Sequence, residues 1–142
     1  MPYITQQQLV DRFGARLLLQ LTDRATPPTG QIDATIIAGA IRDAGAVIDG
    51  YLAGRYQLPL SDVPDLVRDL ALAIAIYKLH PFAPDPKIEK DFDGAQRALR
   101  DIADGKLRLS VVGIEPGSAG TSGVQFVDRA RELTPDNLRG FI

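Results

Sequence analysis

The side chains best equipped for chemistry are few and stand apart. The one histidine, His80, precedes Pro81 in "KLHPFAPDP". A histidine acting as a general base needs a nucleophile to deprotonate and an acid to orient it, and neither stands at a recognisable spacing from His80. It reads as a structural or surface residue. The chain has no cysteine, which removes thiolate catalysis, disulfides and cysteine zinc sites from consideration. Carboxylates are plentiful but alternate with Arg and Lys, as salt-bridging surface residues do. "GIEPGSAG" has the glycines of a phosphate loop without its lysine or the helix that should follow. These residues point away from an enzyme and imply no metal or cofactor.

A second kind of chemistry is contact with a phosphate backbone. Arg97, Arg100, Lys106 and Arg108 fall close together in sequence, but Asp93, Asp101 and Asp104 are interleaved with them. A domain that binds nucleic acid by bulk charge is usually clearly basic, whereas this one has a formal net charge of -2. The four basic residues are candidates for facing DNA chiefly where many copies surround it and a modest charge is repeated.

The 142 residues, 45% hydrophobic, suffice for one domain with a real core. "MPYITQQQLVDRF" lacks the basic and apolar regions of a secretion signal. The most apolar run, "LALAIAIYKL", falls well short of the ~20 residues that span a membrane. The chain is expected to stay soluble in the cell that makes it and to have no membrane partner.

Four helices are predicted over residues 1–105, an all-α four-helix bundle with one long member. Thr5 and Gln8 form a capping box for the first, with Ile4 and Leu9 as its hydrophobic staple. Leu9, Phe13, Leu17 and Leu21 then mark one apolar face down to "TPPTG". Asp33 caps the long second helix, predicted to run to about Tyr56, with Ile37, Ala40, Ile41, Ala44, Ile48, Tyr51, Leu52 and Arg55 on its apolar face. Its other side is stripped to Gly39, Ala46, Gly50, Ala53 and Gly54. Helical glycine costs ~1 kcal/mol relative to alanine. Either Gly50 and Gly54 relax the end of the helix, or this side is a contact face that lets another helix or chain approach. The third helix, from Asp65 to Leu79, is apolar nearly all round and so central. The fourth follows Asp85 and Pro86 and stops at Gly105.

Composition changes after Gly105. "KLRLSV" alternates like a short strand, "GIEPGSAGTSG" reads as a flexible connection, and "VQFVDRARELTPDNLRGFI" regains apolar residues. Residues 106–142 are therefore predicted to form an extended C-terminal arm. Apolar side chains on an arm without its own core need another surface to cover them. Phe126, Leu138, Phe141 and Ile142 are the candidates, with Gly140 allowing the bend that seats Phe141.

Four blocks of the chain resemble a family of small proteins of Mu-like phages and prophages: "YITQQQLVDRFG", "AIRDAGAVIDGYLAGRYQLPL", "VPDLVRDLALAIAIYKLH" and "DNLRGFI". Asp49, Gly50, Tyr51, Leu52, Arg55, Tyr56, Leu58, Pro59 and Leu60 match the most recognisable block. Leu138, Arg139, Gly140 and Phe141 match the closing one. The resemblance implies a head–tail connector, also called an adaptor or neck protein, in the virion neck. It implies a homo-oligomeric ring, commonly of about twelve subunits, closed by one repeated interface. The ring would sit between the portal protein and a tail-side neck or terminator protein, with DNA passing through the lumen. Gly50, Gly54, Arg55, Tyr56, Phe126, Leu138, Arg139, Phe141 and Ile142 are then candidate interface residues. Arg55 and Tyr56 are also expected to anchor the "QLPL" turn. A DNA-contacting packaging factor is the alternative reading.

Overall fold

The computed structural model describes residues 2–110. Within them the chain is all-α: α1 (Gln6–Phe13), α2 (Ala15–Thr22), α3 (Ala34–Leu52), α4 (Asp65–Leu79) and α5 (Pro86–Ala103). Five helices stand where four are predicted. The Thr5 capping box forms as its residues dictate: the Gln8 N–H donates to the Thr5 hydroxyl, and the Gln8 side chain accepts from the Thr5 N–H. The apolar face does not continue straight down a single helix, because Gly14 adopts φ 89° and breaks it. The break turns Leu18, Leu21 and Thr22 inward on α2, while Phe13 and Leu17 are only partly buried.

α4 is the central helix. Val67, Leu70, Leu72, Ile74, Ile76 and Leu79 are all buried, and its largest contacts are with α3, then α5. Tyr77 of α4 stacks on Phe92 of α5 with ring centroids 3.8 Å apart. α3 buries Ile37, Ala40, Ile41, Ala44, Ile48 and Leu52 of the face its periodicity marks, while Tyr51 and Arg55 from that face are only partly buried. Its helix ends earlier than Tyr56. The Leu52 carbonyl accepts from both the Arg55 and Tyr56 N–H groups, which tightens the chain into a turn containing Gly54.

Short polar links fix the remaining joints. Buried Thr22 donates to the Leu18 carbonyl and accepts from the Asp33 N–H, joining the end of α2 to the cap of α3. Asp33 itself accepts from the Thr35 and Ile36 N–H groups. The Arg24 guanidinium reaches the Leu79 carbonyl at 3.0 Å, closing the end of α4. Asp23 organises the loop between α2 and α3, accepting from the Thr29 N–H, the Thr29 hydroxyl and the Gly30 N–H.

The backbone hydrogen bonds from Thr29, then Gly30, hold the Asp23 carboxyl below its ordinary pKa. A carboxylate with a lowered folded-state pKa stabilises the fold above its unfolded pKa of ~3.9. That contribution is lost as pH falls through the folded value. Asp23→Asn is therefore expected to flatten the acid limb of the stability profile below about pH 4. Thermal melts across that range check it, and an unchanged acid limb would show that Asp23 is not a source of the slope.

Candidate functional site

The block "GYLAGRYQLPL" ends α3 and holds the last described residues of the chain. The Arg55 Nε–H donates to the Ala103 carbonyl at 2.7 Å, satisfying one of the free carbonyls at the end of α5. Tyr56 is buried, and its hydroxyl accepts from the Leu109 N–H at 3.0 Å. Leu109 is buried as well, and Leu107 packs partly against the core. The two residues thus staple the end of α5 and residues 106–109 to the end of α3. This corrects the expectation that they anchor the "QLPL" turn. It also places Tyr56 inside the fold, where its side chain is already covered by its own chain.

No strand forms among the described residues. The alternation of Leu107 and Leu109 docks two side chains on the bundle instead, so the packed unit reaches at least to Leu109. Gly105 makes the approach possible. It adopts φ 79°, and a methyl group there would lie 2.5 Å from the Arg55 guanidinium. Gly105→Ala is expected to cost about 1–2 kcal/mol, from backbone strain and displacement of Arg55. A denaturant midpoint equal to that of the unsubstituted chain would refute this account of the junction.

The bare side of α3 is open. Ala46, Gly50, Ala53 and Gly54 are exposed, and Gly39 is partly so. A methyl group on Gly39, Gly50 or Gly54 would meet nothing within 4 Å beyond its immediate helix surroundings. Nothing in the described chain uses this space. The glycine that does receive a close neighbour is Gly45, where a methyl would lie 3.8 Å from the Tyr3 ring. Tyr3 and Ile4 are buried against α3, and the Tyr3 hydroxyl donates to Asp49. Burial, then the bond to the Asp49 carboxylate, pushes the Tyr3 pKa up, so Tyr3 remains a neutral donor. Tyr3 and Asp49 lie in the blocks quoted above, yet their pairing has no signal in local spacing.

Beside this latch runs an apolar groove of about 640 Å³ between residues 2–6 and α3. Ile4, Ile37 and Ile41 line it, with exposed Ala38 and Ala46. Arg42 and Asp49 mark positions two helical turns apart along it. Arg42 makes no ion pair among the described residues.

The other candidates take ordinary places. The His80 Nδ1–H donates to the Ile76 carbonyl at 2.7 Å, one turn back, which fits a helix-ending role. Arg97, Arg100, Lys106 and Arg108 are all exposed. Arg108 lines a surface hollow with Asp62, Asp65 and Arg68, away from any uniformly basic surface. Among the described residues no three His, Asp or Glu side chains gather as a metal-binding group. No helix there is long and apolar enough to cross a membrane. Phe126, Leu138, Arg139, Phe141 and Ile142 lie outside the described residues.

Residues 3–127 match the family model described as "Bacteriophage Mu, Gp36". The chain belongs to this Gp36 family of phage Mu. It is 35% identical over 106 residues to "Gene product J" of Escherichia phage Mu, covering 75% of this chain and 74% of that protein. It is 26% identical over 140 residues to "Mu-like prophage FluMu protein gp36" of Haemophilus influenzae, covering 99% and 98% of the two chains. The Gp36 match spans the capping box, the Tyr3–Asp49 latch, the bare side of α3 and the Arg55–Tyr56 junction.

Proposed function

We propose that this Gp36-family chain is a non-enzymatic head–tail connector of a tailed phage. Copies assemble as a ring in the virion neck, between the portal and a tail-side protein, and DNA passes through the lumen. Membership of a phage Mu family supplies the setting. The single structural observation that carries the reading is the exposed, unfilled small-residue side of α3, because close helix approach requires side chains that do not stand in the way.

Arg55 and Tyr56 serve this role indirectly, by fixing where residues beyond Leu109 leave the bundle. The packaging-factor reading gains nothing from the geometry, since acidic residues accompany each basic one on α5. Negative-stain images of the purified chain, alone and mixed with the portal protein of its phage, test the proposal. Annular particles with a central opening are expected with the portal. Monomeric chain that leaves the portal undecorated at micromolar concentrations would overturn it.

A further inference from the structure

We propose that the groove between the N-terminal segment and α3 receives residues 138–142 of a second copy of the chain. The inference deepens the connector reading and rests on it, because the neighbour in the ring supplies the segment. Three observations converge. The groove floor is apolar, formed by Ile4, Ile37 and Ile41, and its volume of about 640 Å³ accommodates several large side chains. The segment "DNLRGFI" brings Leu138, Phe141 and Ile142, an aromatic and two branched aliphatics, close together. Buried aromatic anchors of this kind carry much of the energy of protein interfaces.

Charge gives the register. Arg42 and Asp49 lie seven residues apart on α3, a rise of about 10 Å. Asp136 and Arg139 lie three residues apart, and in a polyproline II segment, with three residues per turn, they share one side and span about 9 Å. Laid along the groove, Asp136 meets Arg42 and Arg139 meets Asp49. Arg42, unpaired among the described residues, gains a partner. Asp49, already accepting from Tyr3, uses its second oxygen.

The length of chain outside the described residues favours the second copy over the same chain. Hollows with shared lining residues lie between Ser110 and the groove: Ser110 and Val63 line one, Val63 lines the next with Pro2 and Asp49, and both of those line the groove. Reaching the groove past those hollows needs little chain. Residues 111–137 can extend about 90 Å, against about 28 Å for the whole of α3. The surplus matches a segment that crosses to a neighbour, and the bare side of α3 beside the groove is where the neighbour's body is proposed to lie.

The absence of native cysteine permits a direct test on full-length chains. One variant carries Ala46→Cys, between Arg42 and Asp49, and the other carries Asn137→Cys, between Asp136 and Arg139. Mixed under mild oxidation, they are expected to form the disulfide-linked pair at least about tenfold faster than Asn137→Cys with Glu89→Cys on the far side of α5, because docking raises effective concentration. No excess over that control would overturn the inference. A doubly substituted chain, diluted in excess unsubstituted chain, should not close on itself. Intramolecular closure as fast as pairing would place the segment in its own groove and overturn the second-copy assignment. Negative-stain images of the same samples with portal separate the two claims. Rings without specific cross-linking would refute the groove and leave the connector reading, whereas specific pairs without rings would refute the connector reading and leave the groove.

Discussion

Tyr56→Ala is expected to lower the unfolding free energy by about 3–5 kcal/mol, comparable with truncating a buried phenylalanine. The ring is 3% exposed, and its hydroxyl is the acceptor for the buried Leu109 N–H. Two losses therefore add: packing at the joint of α3 with the segment after α5, and the partner of a buried backbone donor. Tyr56→Phe separates them. It keeps the ring and is expected to cost about 1–3 kcal/mol, the penalty for leaving a buried polar group unsatisfied. Urea denaturation of both variants measures the difference, and hydrogen exchange at the Leu109 amide should accelerate in each. A Phe variant as stable as the original, with Leu109 still protected, would mean that the hydroxyl holds nothing.

The consequence for assembly is geometric. Arg55 holds the end of α5 and Tyr56 holds Leu109, so the described chain ends at a fixed point beside α3. A ring that depends on a segment reaching its neighbour needs such a fixed origin. Loosening it should weaken assembly even at temperatures where the bundle remains folded.

Much of this architecture is legible in the residues because it is local. Thr5 and Gln8 stand three apart and cap α1, Asp33 caps α3, and Pro86 opens α5. The core faces of α3 and α4 follow from helical periodicity, which is also why α4 reads as central. What spacing misses is long-range or conformational. The repeat Leu9, Phe13, Leu17, Leu21 runs through Gly14 without a visible fault, since the fault is a backbone angle of φ 89°. Alternating Leu107 and Leu109 look like a strand until a tyrosine hydroxyl 53 residues away takes the amide that a strand would pair. Tyr3 and Asp49 are 46 residues apart and meet where Tyr3 and Ile4 are buried beside α3. At the small side of α3 the residue types are plain, but which of them is approached is not. Buried Gly45, outside that set, receives the Tyr3 ring, while Gly50 and Gly54 stay open.

That openness sets the second large effect, at Gly50. In the free chain Gly50→Ala is expected to stabilise by about 0.4–1 kcal/mol, because the added methyl meets open space and the unfolded chain loses freedom. Gly50→Leu should likewise leave the free chain's melting temperature unchanged or slightly raised, since overpacking requires a neighbour and the described residues place none within 4 Å of the added Cβ. In the proposed ring the same leucine stands where an adjacent copy approaches, and overpacking a close contact costs about 1–3 kcal/mol. Each 1.4 kcal/mol is tenfold in an equilibrium, and the cost recurs at every subunit boundary. Assembly with the portal should therefore fall by at least about tenfold for Leu and far less for Ala. Sizing and negative-stain counts give the assembly readout, and thermal melts of free chain give the other. Normal rings from the Leu variant would reduce Gly50 to a relaxed turn of helix. A melting temperature lowered by Leu would place the contact inside the chain rather than between copies.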